Sequence, residues 1–174
     1  MKTENQPIVT LHNLLDYDVH KFSNAEAQLK HQLTHWKIQA SSVKLKTIID
    51  QYIDFAEDHI RHIEKYVVQE KIAVLSVNNR IMKAFIDEAN EKMSLCKDHE
   101  VRDACLIEAI QEINLFKLSM YGTAASFAKE LDMTKMAALF HAAEMDEIQI
   151  DNELTDIAEQ EINEKARKAI LLKL

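Results

Sequence analysis

Val43 to Lys71 reads VKLKTIIDQYIDFAEDHIRHIEKYVVQEK, and its spacing decides the fold. Ile48, Tyr52, Phe55, His59 and Tyr66 fall on one stripe of a helix, and Ile49, Ile53, Ala56, Ile60, Ile63 and Val67 fall on the neighbouring stripe. Two adjacent apolar stripes predict a central, well-buried helix. Ser41 and Ser42 stand just ahead of it as candidate N-caps.

The same periodicity recurs on both sides. A helix is predicted from about Leu11 to Lys37, with Leu11, Leu15, Phe22, Leu29, Leu33 and Trp36 along one face. Beyond the break Val74 to Asn79, a shorter amphipathic segment, Arg80 to Met93, would bury Ile81, Met82, Phe85, Ile86 and Ala89. Asp98 is placed to cap a long helix from His99 to Glu130, and Asp132 or Thr134 to cap one from Met133 to Glu161. Short connections flanking one long one describe two helical hairpins joined by a crossover, the plan of ferritin-like bundles. The expected fold is therefore all-α: an up-down-down-up four-helix bundle with a short crossover helix and a C-terminal tail. Residues 1–174 are expected to form one domain, its core at about 10–160, its crossover helix at about 80–94 and its tail at 161–174.

Composition agrees and excludes several classes. One Gly and one Pro leave almost no turn chemistry for a sheet, no Gly-rich phosphate loop and no nucleophile elbow. A formal net charge of -8 with no basic cluster argues against nucleic acid. No apolar run is long enough to span a bilayer and Met1 to Thr10 lacks a signal-type core, so no membrane partner and a cytoplasmic location are expected. Cys96 and Cys105 match no metal or redox spacing and read as free thiols. The methionines at 82, 93, 120, 133, 136 and 145 read as core fillers. The tail carries Ala169, Ile170, Leu171, Leu172 and Leu174, an apolar strip suited to a homo-oligomer contact, with a dimer favoured.

The informative positions are ionisable residues on apolar stripes, because a buried charge is costly unless it is paired or bound to metal. Glu26 lies between Phe22 and Leu29; His59 follows Phe55; Asn114 and Lys117 join the line Ile107, Ile110, Tyr121; Glu144, Glu147 and Asp151 join Phe140, Leu154, Ala158. Carboxylates and His from facing helices are the ligands of di-iron and di-manganese bundles, which use about six protein donors. Here Glu26, His59, Glu147 and Asp151 are four candidates and Glu144 a fifth, while Asn114 and Lys117 put an amide and an ammonium where carboxylates belong. Two readings stand side by side: an ion-pair network with no cofactor, and a residual iron or manganese site. His31 and His35, four apart, also have metal-gripping spacing, but with no third ligand nearby they read as a solvated pair.

These residues resemble the ferritin-like YciE/YciF family of bacterial proteins over nearly the whole chain. Ser23 to Leu29 is similar to that family's Ala-Glu-x-x-Leu segment, Ala40 to Leu45 to its first interhelical turn, and His59 to Glu64 to its His-Val-x-Arg-Leu-Glu stretch. Met82 to Ile86 with Glu88, Tyr121-Gly122-Thr123 and Leu154 to Ala158 resemble later elements in the same order. Glu26, Glu147 and Asp151 match the family's acids. Asn114-Leu115-Phe116-Lys117 stands where its Glu-His-x-Glu commonly lies, and Phe55 where a Glu does. The resemblance implies a stress-associated bundle whose metal centre has been altered; its alternative implication is an oxidase or ferroxidase that uses the remaining acids and His59. Gly122 sits mid-helix, where a missing side chain is expected to admit a close neighbour.

Overall fold

The computed structural model describes residues 7–72 and 77–167. The expected tail strip, Ala169 to Leu174, and the part of the Val74 to Asn79 break before Val77 lie outside them. The described residues form helices and no strand: α1 (Leu11–Gln39), α2 (Val43–Gln69), α3 (Arg80–Leu95), α4 (His99–Glu130), α5 (Thr134–Ile157) and a short α6 (Asn163–Ala166) after a π turn (Ala158–Ile162).

Side-chain caps start four of the helices. Thr10 accepts from the Asn13 N–H, Ser42 from Leu45, Asn79 from Met82, and Asp98 from Glu100 and Val101, each satisfying donors that a helix start leaves free. α5 departs from expectation. Its N-cap is Met133 with no side-chain cap bond, because Asp132 adopts a left-handed conformation (φ 57°) to turn the chain and neither it nor Thr134 caps. Lys71 does the same (φ 53°) and follows the end of α2 at Gln69. The last helix is also not continuous to Glu161: its final turn widens to the π form at Ala158, which brings Ile162 into the core at 2% exposure.

Cross-helix contacts fix the topology. Lys30–Glu57 and Lys37–Asp50 run α1 and α2 antiparallel, and Gln111–Asp151 with Asn114–Glu147 do so for α4 and α5. Lys117–Glu26 and the Ser41–Asp103 bond set α4 against α1 in the opposite sense. α3 lies along α1 in the same direction, with Gln28 on Asn79 and Trp36 on Asn90, and so carries the chain back to the end where α4 begins. This is the up-down-down-up, ferritin-like arrangement with a crossover helix. Asp103, buried, accepts from both Ser41 and Ser42 backbone N–H groups at 2.8 Å and locks the first interhelical turn onto α4.

The apolar interior comes in two blocks. One gathers Leu29, Leu33, Trp36, Leu45, Ile49, Leu106, Ile110, Ile113, Ile150 and Leu154; the other gathers Leu15, Val19, Phe22, Ile63, Tyr121, Ala124, Met136 and Phe140. Each buried Leu or Ile contributes about 1.5–3 kcal/mol. Met82, Met93 and Met136 are buried as expected, whereas Met145 is 48% exposed because it lies on the outer face of α5. Between the two blocks, at matching heights on four helices, lie Glu26, His59, Lys117 and Glu147, all buried.

Candidate polar centre of the bundle

Lys117 stands at the middle of this layer with no solvent exposure. Its Nζ is 2.6 Å from Glu147 Oε1 and 3.0 Å from Glu26 Oε2, and it lies 4.5 Å from the centroid of the Tyr52 ring. At these distances one ammonium is shared between the two carboxylates. The other carboxylate oxygens are held by phenols and an amide. Tyr121 donates to Glu26 Oε1, Tyr52 donates to Glu147 Oε2 at 2.5 Å, and Asn114 Nδ2 donates to the same oxygen at 2.8 Å and to the Glu147 carbonyl at 2.9 Å. Among the described residues no group donates to Asn114 Oδ1.

His59 links this interior to the surface. Its Nδ1 lies 3.1 Å from Glu26 Oε1 and its Nε2 lies 3.1 Å from Asp146 Oδ2, a carboxylate 33% exposed. A neutral imidazole has one N–H, and only the imidazolium can donate to both acids. Burial works against that charge, but the bonds to Asp146 and Glu26 outweigh it, and the His59 pKa lies above its usual 6.5.

The two buried acids are not equivalent. Burial alone would push the Glu26 carboxyl up, yet the Lys117 charge, His59 and Tyr121 bring it down to about 2. Glu147 moves the other way: burial and the Glu26 charge raise it against the pull of Lys117 and Tyr52. Glu26 is thus the fixed anion and Glu147 the acid that protonates first. Burial opposes the Lys117 charge too, but the two carboxylates overcome it and hold the ammonium above its ordinary range. Burial and the adjoining acids keep Tyr52 and Tyr121 well above the usual phenol range, as neutral donors.

Of the residues singled out in the sequence, Glu26, His59, Asn114, Lys117 and Glu147 are brought together. Glu144 and Asp151 are placed elsewhere: Glu144 takes a bond from His141 Nδ1 (3.0 Å) and lies over Gly122, and Asp151 accepts from Gln111 (3.0 Å). What occupies the space beside Gly122 is that carboxylate, 2.7 Å from where a Cβ would stand, not a helix backbone. Phe55 packs against the apolar block containing Ile49. Tyr52, Tyr121 and Asp146 are the contributors that periodicity missed. The two tyrosines sit on apolar stripes, where a ring reads as packing and its hydroxyl goes unnoticed.

Glu26, His59 and Glu147 are, among the described residues, the one set of three potential ligands whose donor atoms all lie within 4.8 Å of one another. A dinuclear centre draws on about six donors. Three converge here, and the Lys117 ammonium stands against two of them. A recess of about 10 Å³ between His59, His62, Tyr121, Met136 and Phe140 reaches toward this layer; it has room for about one water.

A crossover-linked bundle with a layer of acids at its centre defines a ferritin-like protein. The chain belongs to the YciE/YciF family: the profile described as "Domain of unknown function (DUF892)" matches residues 10–167. Protein YciF of Escherichia coli (strain K12) is 31% identical over 155 residues, covering 87% of this chain and 93% of its own. The crystal structure of the E. coli stress protein YciF superposes with a TM-score of 0.84 at 27% identity, covering 90% of this chain and 99% of that one. YcfI of Rhodopseudomonas palustris, at 20% identity and a TM-score of 0.81 over 89% of this chain and 97% of its own, shares the fold.

Proposed function

We propose that this chain is a non-catalytic, stress-associated or structural protein of the YciF type, in which the di-metal centre has degenerated and the Lys117 ammonium occupies the position of a metal cation. The observation that carries this reading is the fully buried Lys117 Nζ, 2.6 and 3.0 Å from Glu147 and Glu26. A fixed ammonium repels a second cation and is linked to the protein by its own side chain. The relative in E. coli is described as a stress protein, and the shared family carries that association to this chain.

A second reading, an iron- or manganese-binding oxidase or ferroxidase-like protein, draws on the convergence of Glu26, His59 and Glu147. Metal analysis by mass spectrometry of protein purified from iron- and manganese-supplemented cells separates the two. The first reading expects far less than one equivalent of either metal. A stoichiometric content lost in Glu147→Ala would replace it with the second. As further parts of the proposal, residues 1–174 make one ferritin-like domain and the protein is a cytoplasmic homo-oligomer, preferably a dimer, without a nucleic-acid partner. The net charge of -8 supports the last point, and no described helix is long and apolar enough to cross a membrane.

A further inference from the structure

His31 and His35 lie on the outer face of α1, one helical turn apart and both exposed. Their Nε2 atoms are 3.3 Å from each other and their rings meet edge to face with centroids 4.7 Å apart. At this distance the Nε2–H of one ring donates to the Nε2 of the other, a hydrogen bond that already draws the pair together and that a shared ion would replace. With metal–nitrogen bonds of about 2.0–2.1 Å, donors so spaced subtend about 104–111° at a shared ion, the opening of a tetrahedral site. Chelation requires the proton of each ring to sit on Nδ1, leaving both Nε2 lone pairs free, and the rings to turn toward the ion, which exposed side chains allow.

The neighbouring lysines are paired with acids. Lys30 and Lys37, the ammonium-bearing residues flanking the pair on α1, are drawn across to α2, where they meet Glu57 at 2.8 Å and Asp50 at 2.6 Å. Arg102, which lines the same groove as His35, donates to the neutral Cys96 carbonyl and keeps its positive charge, so an ion there is held by the imidazole donors and not by electrostatic attraction. No third His, Cys, Asp or Glu among the described residues converges with the pair, so two coordination positions remain for water.

We infer that His31 and His35 form a surface chelate for a borderline divalent transition ion, of the class of Zn²⁺, Ni²⁺ and Cu²⁺, distinct from the buried polar layer and independent of what that layer holds. Neutral imidazole suits these ions, and Cu²⁺ is expected to bind best of the three. The ion bridges one turn of α1 and stabilises the folded chain by mass action.

The test is calorimetric titration of the full chain with ZnCl₂ alone, repeated on His35→Ala, His31→Gln and Glu147→Gln. Wild type is expected to take up one equivalent, and Glu147→Gln, confirmed folded by circular dichroism at the titration temperature, to match its affinity. Each histidine variant is expected to bind at least tenfold more weakly, with unchanged circular dichroism, since both side chains are exposed. Full-affinity binding in His35→Ala, or no binding by wild type at millimolar zinc, overturns the inference. Loss in Glu147→Gln with retention in both histidine variants moves the ion to the core and overturns it equally.

Discussion

Lys117 is the residue on which the centre of the bundle turns. Its charge is neutralised by two carboxylates that have no other fixed cation within the layer once His59 is neutral. Removing one partner of a buried ion pair typically costs 3–5 kcal/mol. Lys117→Met, close in length and apolar, is therefore expected to destabilise the fold by about that amount in urea unfolding. A variant with an unchanged midpoint would reject the pairing. His59 gives a pH dependence of defined sign. Its pKa is raised in the fold above 6.5, so the folded protein holds this proton more tightly. The resulting stability is complete below pH 6.5 and is lost as pH rises through the folded value. Glu26 acts at the acid end: lowered to about 2, its contribution is present above 4.5 and disappears as pH falls toward 2. Melting curves across pH 5–9 are expected to show a decline above 6.5 that His59→Gln flattens. Parallel profiles for the two proteins would rule it out. Five of these side chains were legible beforehand because each interrupts an apolar stripe at a position that helical spacing assigns to the core. Tyr52 and Tyr121 were not, because nothing in a stripe distinguishes a phenol that packs from one that also donates.

Helix existence and order followed from periodicity; helix ends followed only where a cap residue acted through its side chain. Ser42 and Asp98 behave as their positions suggest. Asp132 does not: the chain turns from α4 into α5 through a left-handed residue at this position, and Asp accepts that conformation more readily than most. The π turn was illegible for a related reason. It widens the helix by about one residue per turn and buries Ile162, a change that no local pattern in Ala158 to Ile162 records. Gly122 offers a test at this scale. A methyl group there would meet only the far end of the flexible Glu144 side chain, which is 27% exposed and free to swing outward. Gly is poorer than Ala in a helix by about 0.8–1.0 kcal/mol. Gly122→Ala is thus expected to be neutral or to stabilise by up to about that amount, while Gly122→Leu, too large for the same displacement, lowers the melting temperature. Marked destabilisation by Ala would mean that the contact is rigid.

At the scale of the molecule, two apolar blocks with a charged layer between them make the helices register-sensitive. Sliding one helix by a turn would carry Glu26, His59, Lys117 or Glu147 into hydrocarbon without its partners, at a cost larger than the loss of several apolar contacts. The layer thus sets the vertical alignment of the bundle, as a polar residue does in a coiled coil. Assembly belongs to this scale too. Light scattering coupled to size exclusion is expected to give a dimer for the full chain, and a smaller mass when residues 168–174 are deleted if their apolar strip holds subunits together. An identical mass for both would place the contact elsewhere or show a monomer.

An ammonium built into α4 has one consequence for the life of the protein. A mineral-dependent centre waits for supply, exchanges with its surroundings and can be stripped by dialysis or a chelator. A lysine arrives with the chain, at a local concentration fixed by four methylenes. The midpoint of unfolding of His35→Ala, which lacks the surface histidine pair, should accordingly be indifferent to EDTA in the buffer, and the bundle should mature as well in iron-starved cells as in replete ones.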